Sequence, residues 1–386
     1  MSVFISVIFL LVPFIGFLLS IIAYFNCNKK KCIYPLLIGL YLGIVAYYFI
    51  PPQSYDLYRH HQIVKQLMGM SLNNSILILN HIDLEMLPKL ICLLISRFNN
   101  INLLQFFITA IGYTIIFSCL YDYKIKAKVN NTIFVPVCLF TFFGFNALNF
   151  ISGLWNYIAI IIFFLALYLE YICKAKKVYC YPLYALTIFM HNSMLFPLVI
   201  LIIYKMSNNS LKIRTILISL VIFIFPELVL SFINNTFDIT ILKEIQRMYN
   251  SYFTNDNKMY IFYGGVVFFI ELTKLIITNL SILFEEKKKK TTGINGYIIL
   301  LSICTLVMMT KSIVMIRFIM LIQFIGIVPL INSLKKVTKE TLPYYLIIII
   351  LTIVYIIYFF HLFRYQSFGN LFNDLFTKNI ISIWRN

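Results

Sequence analysis

The sequence predicts an all-α, polytopic membrane protein, and three observations lead there. Of its 386 residues, 61% are apolar or aromatic, the mean hydropathy is +0.89 and only 12% are charged, whereas a soluble domain is about half apolar and about a quarter charged. The apolar residues fall in runs of about 18 to 25, the length a helix needs to cross the hydrocarbon core. The charge is lopsided, 32 Lys+Arg against 14 Asp+Glu for a net +18, yet 19 of those basic residues sit in six short clusters between the apolar runs. In a soluble protein such an excess would point to nucleic acid. Clustered this way it reads as the basic signal of cytoplasmic loops, and no nucleic-acid partner is expected.

Taken in order, the first run is Ser2 to Phe25, with no basic residue before it and no small-residue cleavage site, so it reads as a retained span. Lys29 to Lys31 follow, then Ile33 to Ile50. The other clusters are Lys124/Lys126/Lys128, Lys174/Lys176/Lys177, Lys205/Lys212/Arg214, Lys287 to Lys290 and Lys335/Lys336/Lys339. If all six share the cytoplasm, an even number of crossings separates each neighbouring pair. The runs come in such pairs: Ile33–Ile50 with Leu103–Leu120, Thr132–Phe145 with Trp155–Tyr171, Arg214–Ile233 with Tyr260–Phe284, and Ile294–Met309 with Ser312–Leu330. Leu342–Phe360 is the last. Val178 to Tyr204 breaks the parity as one helix and restores it when split at Met190-His191-Asn192-Ser193 into a short pair that enters and leaves from the same side. The expectation is about 11 to 12 transmembrane helices, counting that broken pair, in a single integral membrane domain over residues 1–386.

Two long outer segments remain, 51–85 and 234–258, beside an apolar half-length run from Met86 to Phe98. The first opens on Pro51-Pro52 and is expected to hold a short helix. In the second, Ile241, Leu242, Ile245, Met248, Tyr249 and Tyr252 recur at helical spacing after Asp238, the pattern of an interfacial helix. There is no internal repeat and no soluble domain. The eight cysteines avoid both outer loops and lack zinc spacing, so they read as structural thiols rather than a disulfide or metal framework.

The unusual polar groups gather on the outer side. In PPQSYDLYRHHQ, a helix would put Asp56, Arg59, His60 and Ile63 on one face. That is either a solvated loop helix with a salt bridge or a functional face, and the adjacent histidines favour the second. His191, deep in an apolar stretch, is either a turn residue bonded by Asn192 or a general base. Arg317 lies one turn inside an apolar run and either snorkels or binds phosphate. Glu271 and Lys274, three apart, fit a buried ion pair, and Glu227 has no evident partner. The turn Phe143 to Ala159 carries Asn146, Asn149, Gly153, Trp155 and Asn156, which serve turn chemistry and sugar binding equally well.

These segments, in this order, resemble the EpsG-like and Wzy-type polysaccharide repeat-unit polymerases: PPQSYDLYRHH after the second span, FNALNFISGLWNYIA opening a span, FMHNSMLFP, and IRFIMLIQFIGIVPL. One departure is Trp155-Asn156 where such proteins often carry Arg. The resemblance implies a GT-C-like membrane glycosyltransferase. It would polymerise undecaprenyl-diphosphate-linked oligosaccharide units on the outer face of a bacterial inner membrane, with no cofactor, no metal and no nucleotide sugar. Expected roles are His191 or Asp56 as base, Arg59 and Arg317 toward the diphosphate, and His60, Tyr55, Tyr58, Asn149, Trp155 and Asn156 toward sugars or in support. Expected partners are the lipid-linked oligosaccharide, membrane lipid and a chain-length regulator. Two other classes stay open, a lipid-linked oligosaccharide flippase or transporter and a sugar O-acyltransferase. A flippase calls for polar groups at several depths and repeated halves, and an acyltransferase calls for a histidine reachable by an acyl donor.

Overall fold

The structure, a computed structural model, describes residues 2–28, 32–74, 86–145, 147–224, 259–286, 293–307, 312–335, 338–339 and 341–365. Among them regular structure is helical throughout, with no strand. In chain order the helices are α1 (Ser2–Leu11), α2 (Pro13–Asn26), α3 (Tyr34–Tyr47), α4 (Asp56–Met68), α5 (Met86–Ser96), α6 (Leu103–Ala127), α7 (Asn131–Gly144), α8 (Ala147–Ser152) and α9 (Leu154–Leu167). There follow α10 (Lys177–Met190), α11 (Leu195–Met206), α12 (Ile213–Ile224), α13 (Met259–Glu286), α14 (Ile294–Val307), α15 (Ser312–Ile325), α16 (Ile327–Leu334) and α17 (Leu342–Tyr365). The interfacial helix expected within 234–258, and Glu227, lie outside the described residues.

Several apolar runs are interrupted, and the cause is local. Val12, which precedes Pro13, sits at φ −137°, ψ 84°, because a proline ring disfavours the α region for the residue before it. The expected single span Ser2–Phe25 is therefore two short helices that pack against each other, with Gly16 set against Phe9. Likewise Ser312–Leu330 bends by 46° between Met315–Ile325 and Ile327–Leu334. Pro329 explains that bend, since it removes the hydrogen bond to the Ile325 carbonyl and its ring crowds that carbonyl. Among the described residues two helices are individually long and apolar enough to cross a membrane, Leu103–Ala127 and Leu154–Ile172, and the bent pair makes a third if taken as one span. Several other apolar helices among the described residues are shorter, at 10–17 residues. The described chain thus carries apolar helices able to span a membrane.

The chain forms two compact units, one over 1–81, 87–161 and 334–386, the other over 82–86 and 162–333. In the first, α3 and α6 make the most extensive contact. Gly39 and Gly43 are spaced as in a small-xxx-small pair, which lets two helix backbones approach closely. A Cβ on Gly43 would stand 2.9 Å from both Ala110 Cβ and the Phe106 carbonyl oxygen, and one on Gly39 would collide with Thr114 and lie 2.6 Å from the Ala110 oxygen. Around this pair lies an aromatic core. The fully buried Tyr24 donates to the Phe117 carbonyl at 3.0 Å and meets Phe117, Tyr121 and Phe134 at ring distances of 5.5–5.9 Å. Lys124 Nζ reaches the Phe25 carbonyl at 2.5 Å, a cation at the C-terminal end of α2. The last helix returns to this unit, with Tyr345 Oη donating to the Thr132 carbonyl at 2.7 Å.

In the second unit, α13 packs along α15 and α14. Thr278 lies against Gly326 and Glu285 accepts from Asn332 Nδ2 at 2.9 Å, so α13 and the α15–α16 pair run parallel. At another end, a π turn (Tyr168–Ile172) presents Glu170, whose Oε2 accepts from Tyr184 Oη and Lys205 Nζ, each at 2.7 Å. Lys205 Nζ also lies 4.9 Å from the centre of the Tyr184 ring. All eight cysteines are free thiols.

Candidate functional site

The helix α4 forms after the Pro51-Pro52 stop, with Tyr55 extended at its N-cap position and Asp56 in its first turn, where a carboxylate is favoured by the helix dipole. Its buried stripe is Leu57, His61, Val64 and Leu67. The other face carries Asp56 and Arg59 in an i, i+3 ion pair, both well exposed. Such a surface pair is worth little to stability, so this pairing leaves a carboxylate and a guanidinium available at the surface.

His60 turns from that face toward the start of α9. Its ring meets Trp155 edge-on at 5.5 Å and 81°. Burial pushes the imidazole down to about 4, helped by Arg59 and His61 and opposed by Asp56. At neutral pH His60 is uncharged, which suits a ring packed on an indole. Trp155 is 4% exposed, and its Nε1 is buried with no hydrogen-bond partner among the described residues. Asn156 is also buried. The helix α4 packs on α8, which precedes Gly153 and α9. One unit therefore brings α4 together with the turn between α8 and α9. Tyr55 and Tyr58 are half-buried beside them, Tyr55 stacking on Phe49 at 6.2 Å. Asn149 lies in α8, and its side chain is outside the described set.

Two residues missed by sequence reasoning hold α4 in place. His61 Nε2 lies 2.7 Å from Gln105 Oε1, and Gln105 Nε2 donates to the carbonyls of Ala46 at 2.7 Å and Phe49 at 2.8 Å. Gln105 is fully buried near the start of α6, where an amide among Leu and Phe was the available signal. Burial also pushes the His61 imidazole down, the Gln105 bond opposing it.

In the second unit, α10 ends at Met190 and His191 is extended at φ −160°, ψ 123°; Asn192–Met194 make one 3₁₀ turn before α11. The Ser193 backbone N–H donates to His191 Nδ1 at 3.2 Å, and Ser193 Oγ lies 2.8 Å from the same atom. A backbone amide can only donate, so Nδ1 is unprotonated and the neutral ring carries its proton on Nε2. His191 is 8% exposed. Arg317 is half-buried on α15. Glu271 and Lys274 form the expected ion pair at 2.6 Å, with side chains 7% and 3% exposed. Among the described residues no group of three or more His, Cys, Asp or Glu is arranged to hold a metal ion.

The EpsG family model matches residues 55–375, more than four-fifths of the chain, beginning at the N-cap of α4. The chain has no match among the curated proteins or the solved structures.

Proposed function

This chain belongs to the EpsG family, and we propose that it polymerises undecaprenyl-diphosphate-linked oligosaccharide repeat units into a surface polysaccharide at the outer face of a bacterial inner membrane. In this reading the polypeptide is GT-C-like, with about 11 to 12 crossings. The segments around His191 form a short re-entrant pair, and a chain-length regulator is a partner. The observation that carries the reading is the α4 face, where a carboxylate and a guanidinium stand side by side on the segment where the family match begins.

The reaction transfers the growing chain from its diphosphate carrier to a sugar hydroxyl of the next lipid-linked unit. Asp56 takes the hydroxyl proton as its oxygen attacks the anomeric carbon. The bond from that carbon to the diphosphate breaks, and undecaprenyl diphosphate leaves with the electron pair. Arg59 and Arg317 oppose the charge that grows on the leaving group, a role suited to guanidinium's fixed charge and its fork of donors. His191 supports a donor role better than the base role, because its lone-pair nitrogen is engaged by Ser193 and its other nitrogen carries the proton. It donates from Nε2 to a phosphate or sugar oxygen. Neutral, part-exposed His60 meets the sugar, held from behind by the buried Trp155 ring.

Lipid-linked glycans from a strain deleted for this gene test the reading. Single repeat units should accumulate on the outer face. Units confined to the cytoplasmic leaflet would instead make the protein a flippase, and polymer of normal length lacking acyl groups would make it an acyltransferase.

A further inference from the structure

We propose that Gln105 is a positioning residue for the polymerase reaction, setting the rotation of α4 and hence the direction in which Asp56 and Arg59 face. This inference rests on the polymerase reading above.

A helix leaves its last carbonyls without intrahelical partners, and the chain that follows is ordinarily the source of N–H groups to meet them. After α3 only Tyr48, Phe49 and Ile50 intervene before Pro51 and Pro52, and proline has no N–H to give. The Phe49 N–H reaches back to the Ala46 carbonyl at 3.0 Å, and Gln105, arriving on α6 from 56 residues further along than Phe49, adds its amide nitrogen to the carbonyls of Ala46 at 2.7 Å, Tyr47 at 3.4 Å and Phe49 at 2.8 Å. The amide cannot be reversed, because its oxygen would then face two carbonyl oxygens. Its Oε1 is therefore the acceptor that looks toward α4, and the group it accepts from is His61 Nε2–H at 2.7 Å.

One buried side chain of α6 thus joins the end of α3 and the residues just after it to the inner stripe of α4. His61 is the polar member of that stripe, between Leu57 and Val64. Hydrophobic contacts alone tolerate some rotation of a helix, whereas a hydrogen bond of 2.7 Å between buried partners does not. On the same helix, successive side chains are about 100° apart. Fixing His61 inward fixes His60 toward Trp155 and leaves Asp56 and Arg59 outward.

The test uses the full-length protein in proteoliposomes with a lipid-linked repeat unit, measuring turnover per folded molecule at saturating unit and separately the KM. Gln105→Leu removes all of these bonds at similar volume and should lower turnover about a hundredfold, as expected for a misdirected reacting group, with KM little changed. His61→Gln keeps an N–H for Gln105 Oε1 and should retain most of the wild-type turnover, while His61→Leu should fall with Gln105→Leu. Wild-type turnover in Gln105→Leu overturns the proposal, as does equal loss in His61→Gln and His61→Leu. If Gln105→Leu does not fold, the two His61 variants decide. A wild-type protein that makes no polymer overturns the polymerase reading and this inference with it, and is told apart by the unsubstituted control.

Discussion

Replacing Lys274 by methionine should destabilise the protein by about 3–5 kcal/mol, the cost of leaving one partner of a buried pair uncompensated. Lys274 Nζ and Glu271 Oε1 are 2.6 Å apart with both side chains almost wholly buried, and Glu271 Oε2 has no hydrogen-bond partner among the described residues. The carboxylate therefore relies on this ammonium. Both lie on the side of α13 that also bears Thr278 and Glu285, one and two turns or more further on, which meet Gly326 and Asn332. A charge stranded there disturbs the contact between the parallel helices. The double variant Glu271→Gln with Lys274→Met removes both charges and should recover most of the loss, since a buried pair replaced as a whole is often nearly neutral. Thermal unfolding in detergent checks this. Equal midpoints for wild type and Lys274→Met would show that the pair does not brace the bundle.

The largest effects on activity should follow Asp56→Asn and Arg317→Ala. Asparagine keeps the size of Asp56 and can still accept from Arg59, so α4 should remain folded, while the proton acceptor is gone. General-base catalysis contributes about 10²–10⁴-fold, and polymer should fall accordingly in a deletion strain carrying the variant. Arg317→Ala removes a cation expected to meet the leaving diphosphate, a contribution of about 10²–10³-fold by analogy with the loss of one oxyanion donor. Polymer amount and chain length, measured at equal protein level in the membrane, read both effects. Unchanged polymer in either variant would remove that residue from the mechanism.

What the sequence revealed and what it withheld follow from the range of the interactions. The Asp56–Arg59 and Glu271–Lys274 pairs were legible because i, i+3 neighbours on a helix are set by the helical period alone, whereas His60, placed on the same face by spacing, turns to Trp155. The role of His61 was not legible, because its partner Gln105 is 44 residues away and only the packing of α6 on α3 brings it there. That packing had its own local sign, GLYLG at Gly39 to Gly43, which hydropathy averages over. Pro13 and Pro329 were equally visible, yet counting apolar length treated them as part of a span, and the structure breaks or bends the helix beside each. At His191 the sequence located the polar group in an apolar stretch, but the bonds that Ser193 makes to it depended on the extended conformation of that residue. His60 and Trp155, 95 residues apart in sequence, were each selected for their own surroundings, and nothing in either segment indicated that the rings meet.

The most direct test of the central claim is reconstitution of the purified protein in liposomes with an undecaprenyl-diphosphate-linked repeat unit and no nucleotide sugar. The account predicts a ladder of polymer lengths, with one undecaprenyl diphosphate released for each unit added, and loss of both in Asp56→Asn. Repeat units that stay single and keep their lipid, in a preparation that is folded and correctly inserted, would contradict it.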